Sequence, residues 1–282
     1  SIRRQRQMCI RDRYWGHMNL RERVDRFFIA QFEGLPLDQA DEMDILEANG
    51  TVNFGSNKAY RAMLKKIKAG SPATNPDDLQ YILDNVDVDN LFEYMALEMF
   101  VGNSDIGNIR YYRLHQEGSK WKWIWYDADY GLYSSKFNSP WSYLKVKGMG
   151  EQKIDNTIFL KLLEHPDYKR KFLEKLADVY KTFTTEYMTQ VLDGVVAEIQ
   201  PEMKNHWERW GELNDKAVTS EVPTTIDGAY TYWESRVNRL YNTLKVRPHR
   251  LWDFIKDEFK LTKTEMEELF GPQPDYPDDA VL

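Results

Sequence analysis

The stretch GNSDIGNIRYYR at 102–113, followed by WKWIWYDADYGL at 121–132, carries the clearest structural signal in the chain. Ile109 to Leu114 and Lys120 to Tyr126 are two strand-like runs joined across a loop containing Gly118, which reads as a β-hairpin. In the second run Trp121, Trp123 and Trp125 alternate with Lys122, Ile124 and Tyr126, the period of two of a pleated strand. Asp127 and Asp129 continue the tryptophan parity, so an extended chain projects both carboxylates to one side, as a hard divalent cation needs. Gly102 and Gly107 bracket a loop containing Asn103, Ser104, Asp105 and Asn108. Because a hairpin returns the chain, it can bring Asp105 and Asn108 to the same end of the sheet as Asp127 and Asp129. There Asn108 could add a neutral oxygen ligand and Asp105 could serve as a base or orienting group. The same residue types also form turns and cap helices, so the residues alone leave both readings open.

Working outward, Asp87 or Asp89 caps a helix whose apolar residues Leu91, Tyr94, Met95 and Leu97 continue to Phe100. Before it lie turn chemistry at Gly70 to Pro76, a short basic helix around Tyr60 to Lys68, and a polar Asn/Gly-rich loop from Ala48 to Asn57. A helix is expected from Leu20, with Leu20, Val24, Phe27, Phe28 and Phe32 on one face and Gly34 and Pro36 as its stop. Tyr14 to Asn19 suits the end of a strand. After Gly131 a loop runs to about Gly150, and from Ile158 the pattern is helical nearly to the end. Its stripes include Phe172 to Phe183, then Val191, Val195 and Ile199, then Trp207 to Leu213, and Leu251 to Phe259. The expectation is one α+β domain, a small β portion followed by a large helical lobe.

Composition bounds the class. The 282 residues carry 38 basic and 45 acidic side chains, a net charge of −7, with 42% apolar and 14% aromatic residues. That suits a globular core, and the acidity argues against a nucleic-acid binder that works by broad phosphate neutralisation. It is compatible with a basic protein substrate. No apolar run is long enough for a transmembrane helix. A single cysteine, Cys9, excludes a disulfide framework or a Cys-based zinc site within the chain. The five histidines, His17, His115, His165, His206 and His249, show no ligand spacing.

The two ends stand apart. Met8-Cys9-Ile10-Arg11-Asp12 has no helical or strand period and resembles a translated sequencing adapter, a native basic tail being the alternative. Residues 1–13 are therefore expected to be non-native, 14–270 to form the domain, incomplete at its N-terminus, and 271–282 to be a tail or linker.

Beyond the residues themselves, YWGHMNLRERVDRFFI at 14–29 resembles the opening signature of the CotH kinase family, the spore-coat kinase-like proteins. The segments at 102–113 and 121–132 are similar to that family's paired catalytic and metal-binding segments. Pro201, Trp207, Trp210 and Arg247-Pro248 fit its C-terminal pattern, so the resemblance spans Tyr14 to about Leu261. It implies an atypical protein-kinase-like fold and transfer of the ATP γ-phosphate to serine in a protein substrate, with Mg²⁺ or Mn²⁺. By position it makes Asp105 the catalytic aspartate, Asn108 a metal-holding asparagine, and Asp127 the metal aspartate with Asp129 as its partner. Glu22 becomes the helix glutamate that would pair with a nucleotide-contacting lysine; a surface pair with Arg26 is the alternative. The family's lysine lies upstream of Tyr14, and no phosphate-cradling glycine loop is present, Gly148-Met149-Gly150 being too short. Asn108 follows Asp105 by three residues, against about five in ordinary protein kinases. The alternatives to a kinase are a catalytically inactive binding module of a spore coat or cell surface, and a carbohydrate-active protein. The last would use Asp105 and Asp127 as its acid pair and the tryptophans as sugar platforms, although at their spacing those tryptophans read more simply as core. Spore-coat, secreted and surface locations are all compatible with the resemblance.

Overall fold

The computed structural model describes residues 5–10, 13–19, 21–145, 154–214, 223 and 225–278. Leu20 and the Gly148 to Gly150 run lie outside them. In chain order the elements are β1 (Gln5–Ile10), β2 (Arg13–Asn19), α1 (Arg26–Phe32), β3 (Met43–Glu47), β4 (Thr51–Phe54), α2 (Lys58–Ala69), α3 (Pro76–Asn85) and α4 (Val88–Val101). There follow β5 (Arg110–Leu114), β6 (Lys122–Ile124), α5 (Ser139–Leu144), α6 (Thr157–Leu163), α7 (Pro166–Thr182), α8 (Thr185–Ile199), α9 (Met203–Asn214), α10 (Ile226–Phe259) and α11 (Lys263–Phe270). The class is α+β. Strands are not confined to a leading portion, because α1 to α4 are interleaved with them; among the described residues after β6 the named elements are all helices. No helix among the described residues is long and apolar enough to cross a membrane.

Two compact units share the chain: 1–23, 184–245 and 277–282 in one, 24–183 and 246–276 in the other. The first contains the β1–β2 hairpin, whose register shifts between Met8 and Cys9, so Met8, Cys9 and Ile10, read as lacking a strand period, pair as a strand. Trp15 of β2 meets Trp210 of α9 edge-on at 5.9 Å, and the Trp210 indole N–H donates to the Trp15 carbonyl at 3.0 Å.

The second unit is built on an antiparallel sheet of order β4-β3-β5-β6. Alternation sends Leu46, Tyr111, Trp121 and Trp123 to one face, against α4 and the helices beyond it. Met43, Ile45, Tyr112 and Leu114 go to the other, against Ile29 and Ala30 of α1. The expected hairpin is present, with Arg110 opposite Ile124 and Tyr112 opposite Lys122. Tyr111 stacks on Trp123 at 5.6 Å, and Trp121 is wholly buried, so two of the three tryptophans are core. Each such burial contributes on the order of 2–3 kcal/mol. Trp125, past the strand end, remains 44% exposed.

Two expectations are corrected. The polar loop at Ala48 to Asn57 is largely a hairpin, β3 and β4 turning at Asn49-Gly50. The first helix starts at Arg26, not Leu20, because the Asp25 carboxylate caps it by accepting from the Phe27 and Phe28 amides. Its buried face is Ile29 and Ala30, which leaves Phe32 exposed.

α4 forms as its sequence requires. Asp87 accepts from the Asn90 amide at 3.1 Å, and Gly102 ends the helix in the left-handed region at φ +64°. It is buried nearly all round, as expected of a helix that is apolar on every face. Arg247 of α10 closes its C-terminus. The buried guanidinium donates to the carbonyls of Phe100 (2.7 Å), Met99 (2.8 Å) and Phe137 (3.2 Å). Burial pushes its pKa down to about 10. The end of the chain that reads as a tail begins in contact with α10: the Trp252 indole donates to the Gly271 carbonyl, and Tyr276 packs edge-on against His249.

Candidate functional site

The site follows from what α4 and the β5–β6 hairpin do to the loops at their ends. Behind Gly102 the chain turns through Asn103, whose Oδ1 accepts from the Asp105 amide at 3.0 Å. The Asp105 carbonyl in turn accepts from the Asn108 amide at 3.2 Å, closing a tight loop that leads into β5. On the neighbouring strand the chain leaves β6 at Ile124 and reaches Tyr126 and Asp127. The two loops meet at Asn108: its Nδ2 donates to Asp127 Oδ2 at 2.7 Å, and its Oδ1 accepts from the Tyr126 hydroxyl at 2.7 Å. Asp105, Asn108 and Asp127 are thus brought together, all half-buried.

Asp127 does not continue the strand. Its φ of +52° is left-handed, so the extended run expected to aim Asp127 and Asp129 the same way is broken at Asp127 itself. Asp129 lies in the following turn and is exposed, yet its charge still reaches Asp105. Burial, and then the negative charges of Asp127 and Asp129, raise the Asp105 pKa, against a lowering hydrogen bond with Asn108. A carboxylate tuned upward in this way is a stronger proton acceptor than an ordinary aspartate. Arg110 flanks the cluster. Its guanidinium sits 5.0 Å from the Tyr126 ring centroid and donates to the Val24 carbonyl at 2.6 Å and to Glu47 at 3.2 Å.

Beneath the loop lies Glu98 of α4, 2% exposed. It accepts from the Tyr143 hydroxyl at 2.6 Å, and the side chains of Asn103 and Trp125 are near enough to favour its charged form. Burial raises its pKa, the hydrogen bonds oppose this, and the Asp105 charge adds to the rise. Tyr143, Asn103 and Glu98 therefore fix the loop from below. The sequence reading did not assign them this role; the available signal was a lone glutamate inside the otherwise apolar run MALEMFV at 95–101.

Glu22, expected on a helix, is exposed in the non-helical run before Asp25 and belongs to the first unit, whereas the aspartate cluster belongs to the second. The alternative pairing with Arg26 lacks its helical spacing; Arg26 pairs instead with Asp41 at 2.8 Å. Among the described residues no three His, Cys, Asp or Glu side chains gather as a metal cage. Asp127 and Asp129 offer carboxylates of the kind by which Mg²⁺ is commonly held, one or two at a time, while phosphates and waters complete its shell.

The aspartate cluster thus sits at the junction of a buried helix and a β-hairpin. The family model described as CotH kinase protein matches residues 7–251, and the chain belongs to the CotH kinase family. Among curated proteins and among solved structures, none matches.

Proposed function

We propose that the chain is an atypical protein serine kinase with a kinase-like fold, transferring the γ-phosphate of ATP to a basic protein substrate with Mg²⁺ or Mn²⁺. The observation that carries this reading is the Asn108 bridge, which ties the loop of Asp105 to the carboxylate of Asp127. Phosphoryl transfer needs little more from a protein than positioned oxygens and charge compensation. In this reading Asp127 and Asn108 would hold the cation, with Asp129 as a further carboxylate at the rim. The cation supplies charge neutralisation on the phosphates. Asp105 orients the acceptor hydroxyl and takes its proton, and its raised pKa is consistent with that task. Tyr126 and Arg110 lock the bridge from the side.

The test is labelling of a Ser-rich basic peptide by radiolabelled ATP with Mg²⁺ or Mn²⁺. Wild-type labelling that falls about 10²-fold or more in Asp127→Ala and in Asp105→Asn supports the reading. Absence of wild-type labelling overturns it and selects an inactive binding module; labelling unchanged in Asp127→Ala overturns it as well, by taking the chemistry away from this cluster.

A further inference from the structure

We propose that the groove along the outer edge of β6 is a docking site for an extended segment of a protein partner in which a large apolar side chain is flanked by Lys or Arg. The groove is a cavity of about 470 Å³ between α1, α4 and β6, within the size range of ligand pockets. It lies wholly within the second unit and does not depend on phosphoryl transfer.

Its walls are aromatic and partly wet. Phe28 and Phe32 stack at 6.4 Å on one side, and Tyr94, Trp123 and Trp125 contribute from the other. Phe32 is 73% exposed, an uncommon position for a phenylalanine. Apolar rims of this kind mark contact surfaces.

Charge selects the occupant. Asp87 and Glu93 line the groove, and the cation among the lining residues is Lys122. Lys122 is already neutralised by Glu33 at 2.8 Å, and Glu33 also accepts from the Tyr112 hydroxyl. Although burial pushes the Glu33 pKa up, its bonds to Lys122 and Tyr112 outweigh that and hold it below the usual carboxylate range, so the pair stays ionised and self-compensated. What remains is a negative field that favours basic side chains beside the apolar anchor and disfavours phosphate or acidic segments.

The backbone selects the mode of binding. The register sends the Trp123 amide and carbonyl away from β5, and Asn90 takes both. The amide donates to Asn90 Oδ1 at 2.6 Å, and Nδ2 donates to the Trp123 carbonyl at 3.1 Å. A partner strand is excluded at that position, so the segment is held by side chains in the groove and does not extend the sheet.

Panning a displayed random-peptide library on the full chain tests this, with an enriched peptide then synthesised with a fluorescent label. Enriched sequences are expected to place Leu, Phe or Trp beside Lys or Arg. Phe32→Asp and Glu93→Lys should each weaken binding by about tenfold or more. Leu37→Asp, at a residue just as accessible but outside the groove, should leave it unchanged. No enrichment, enrichment of acidic or uncharged peptides, or equal binding by wild type, Phe32→Asp and Glu93→Lys overturns the proposal. So does an equal loss in Leu37→Asp.

Discussion

Asp127 holds its carboxylate on Asn108 from a left-handed backbone that costs a non-glycine residue on the order of 1–2 kcal/mol. Alanine at this position loses the hydrogen bond and keeps the strain, whereas glycine loses the bond and relieves it. Asp127→Gly is therefore expected to be more stable than Asp127→Ala by about 1 kcal/mol in urea unfolding, with both inactive in phosphoryl transfer. Glu98 gives a pH prediction. Its folded-state pKa lies above the ordinary 4.5, so its contribution to stability is present below that value and lost as pH rises through the folded value. Glu98→Gln removes this term, so the melting temperature of the variant relative to wild type should rise from about pH 4.5 and level off once pH has passed the folded-state value. A difference that is flat with pH would refute the assignment. The four candidate residues Asp105, Asn108, Asp127 and Asp129 are legible in the sequence because they bracket a recognisable hairpin. Glu98 and Asn103 are not, because their role depends on Tyr143 arriving from forty residues further on in the chain.

At the scale of elements, α4 is held by its C-terminus. Gly102 cannot carry a side chain there: a Cβ would lie 2.5 Å from Arg247 Nη2, at a φ that already disfavours it. Gly102→Ala is expected to lower stability by more than about 1 kcal/mol. Arg247→Lys, which lacks the planar fork, should cost roughly 1–3 kcal/mol, chiefly by leaving the Phe100 carbonyl without its donor, since those of Met99 and Phe137 also accept from Ser139. Combined, the two changes should cost less than their sum, since each already disrupts the same contact; strict additivity in denaturant melts would argue against the coupling. A similar repair operates in α10. Pro248 has no N–H to give the Leu244 carbonyl four residues back, and the Thr185 hydroxyl donates to that carbonyl at 3.1 Å. Helix α4 was legible because Asp87 and Gly102 are strong local punctuation. β3 and β4 were not recognised although Asn49-Gly50 between MDILE and TVNF is a hairpin signal, since the polar residues around that turn masked the alternation.

For the whole molecule, the α+β class was readable from local pattern, but the sheet order was not. β3 lies between β4 and β5, and its pairing with β5 joins residues more than sixty positions apart, a choice made by long-range packing of Tyr111 and Tyr112 on opposite faces. A ligand that binds only the folded chain raises the melting temperature of the whole by mass action, about 2.7 kcal/mol at a hundredfold excess over Kd. ATP with Mg²⁺ should therefore shift the melt of the wild type, and chelation with EDTA should reverse the shift. Asp127→Ala should show neither effect.

The Asn90 amide on Trp123 also bears on how copies of the chain behave toward one another. A side chain here completes the sheet where a further strand would otherwise be invited, so β6 ends without open polar groups at Trp123. Asn90→Ala would leave a strand-shaped vacancy beside exposed aromatic rings, a template for a second molecule. Concentration-dependent self-association of that variant, seen by light scattering and absent in wild type, is the expected result. One asparagine would then be what keeps this face of the protein solitary.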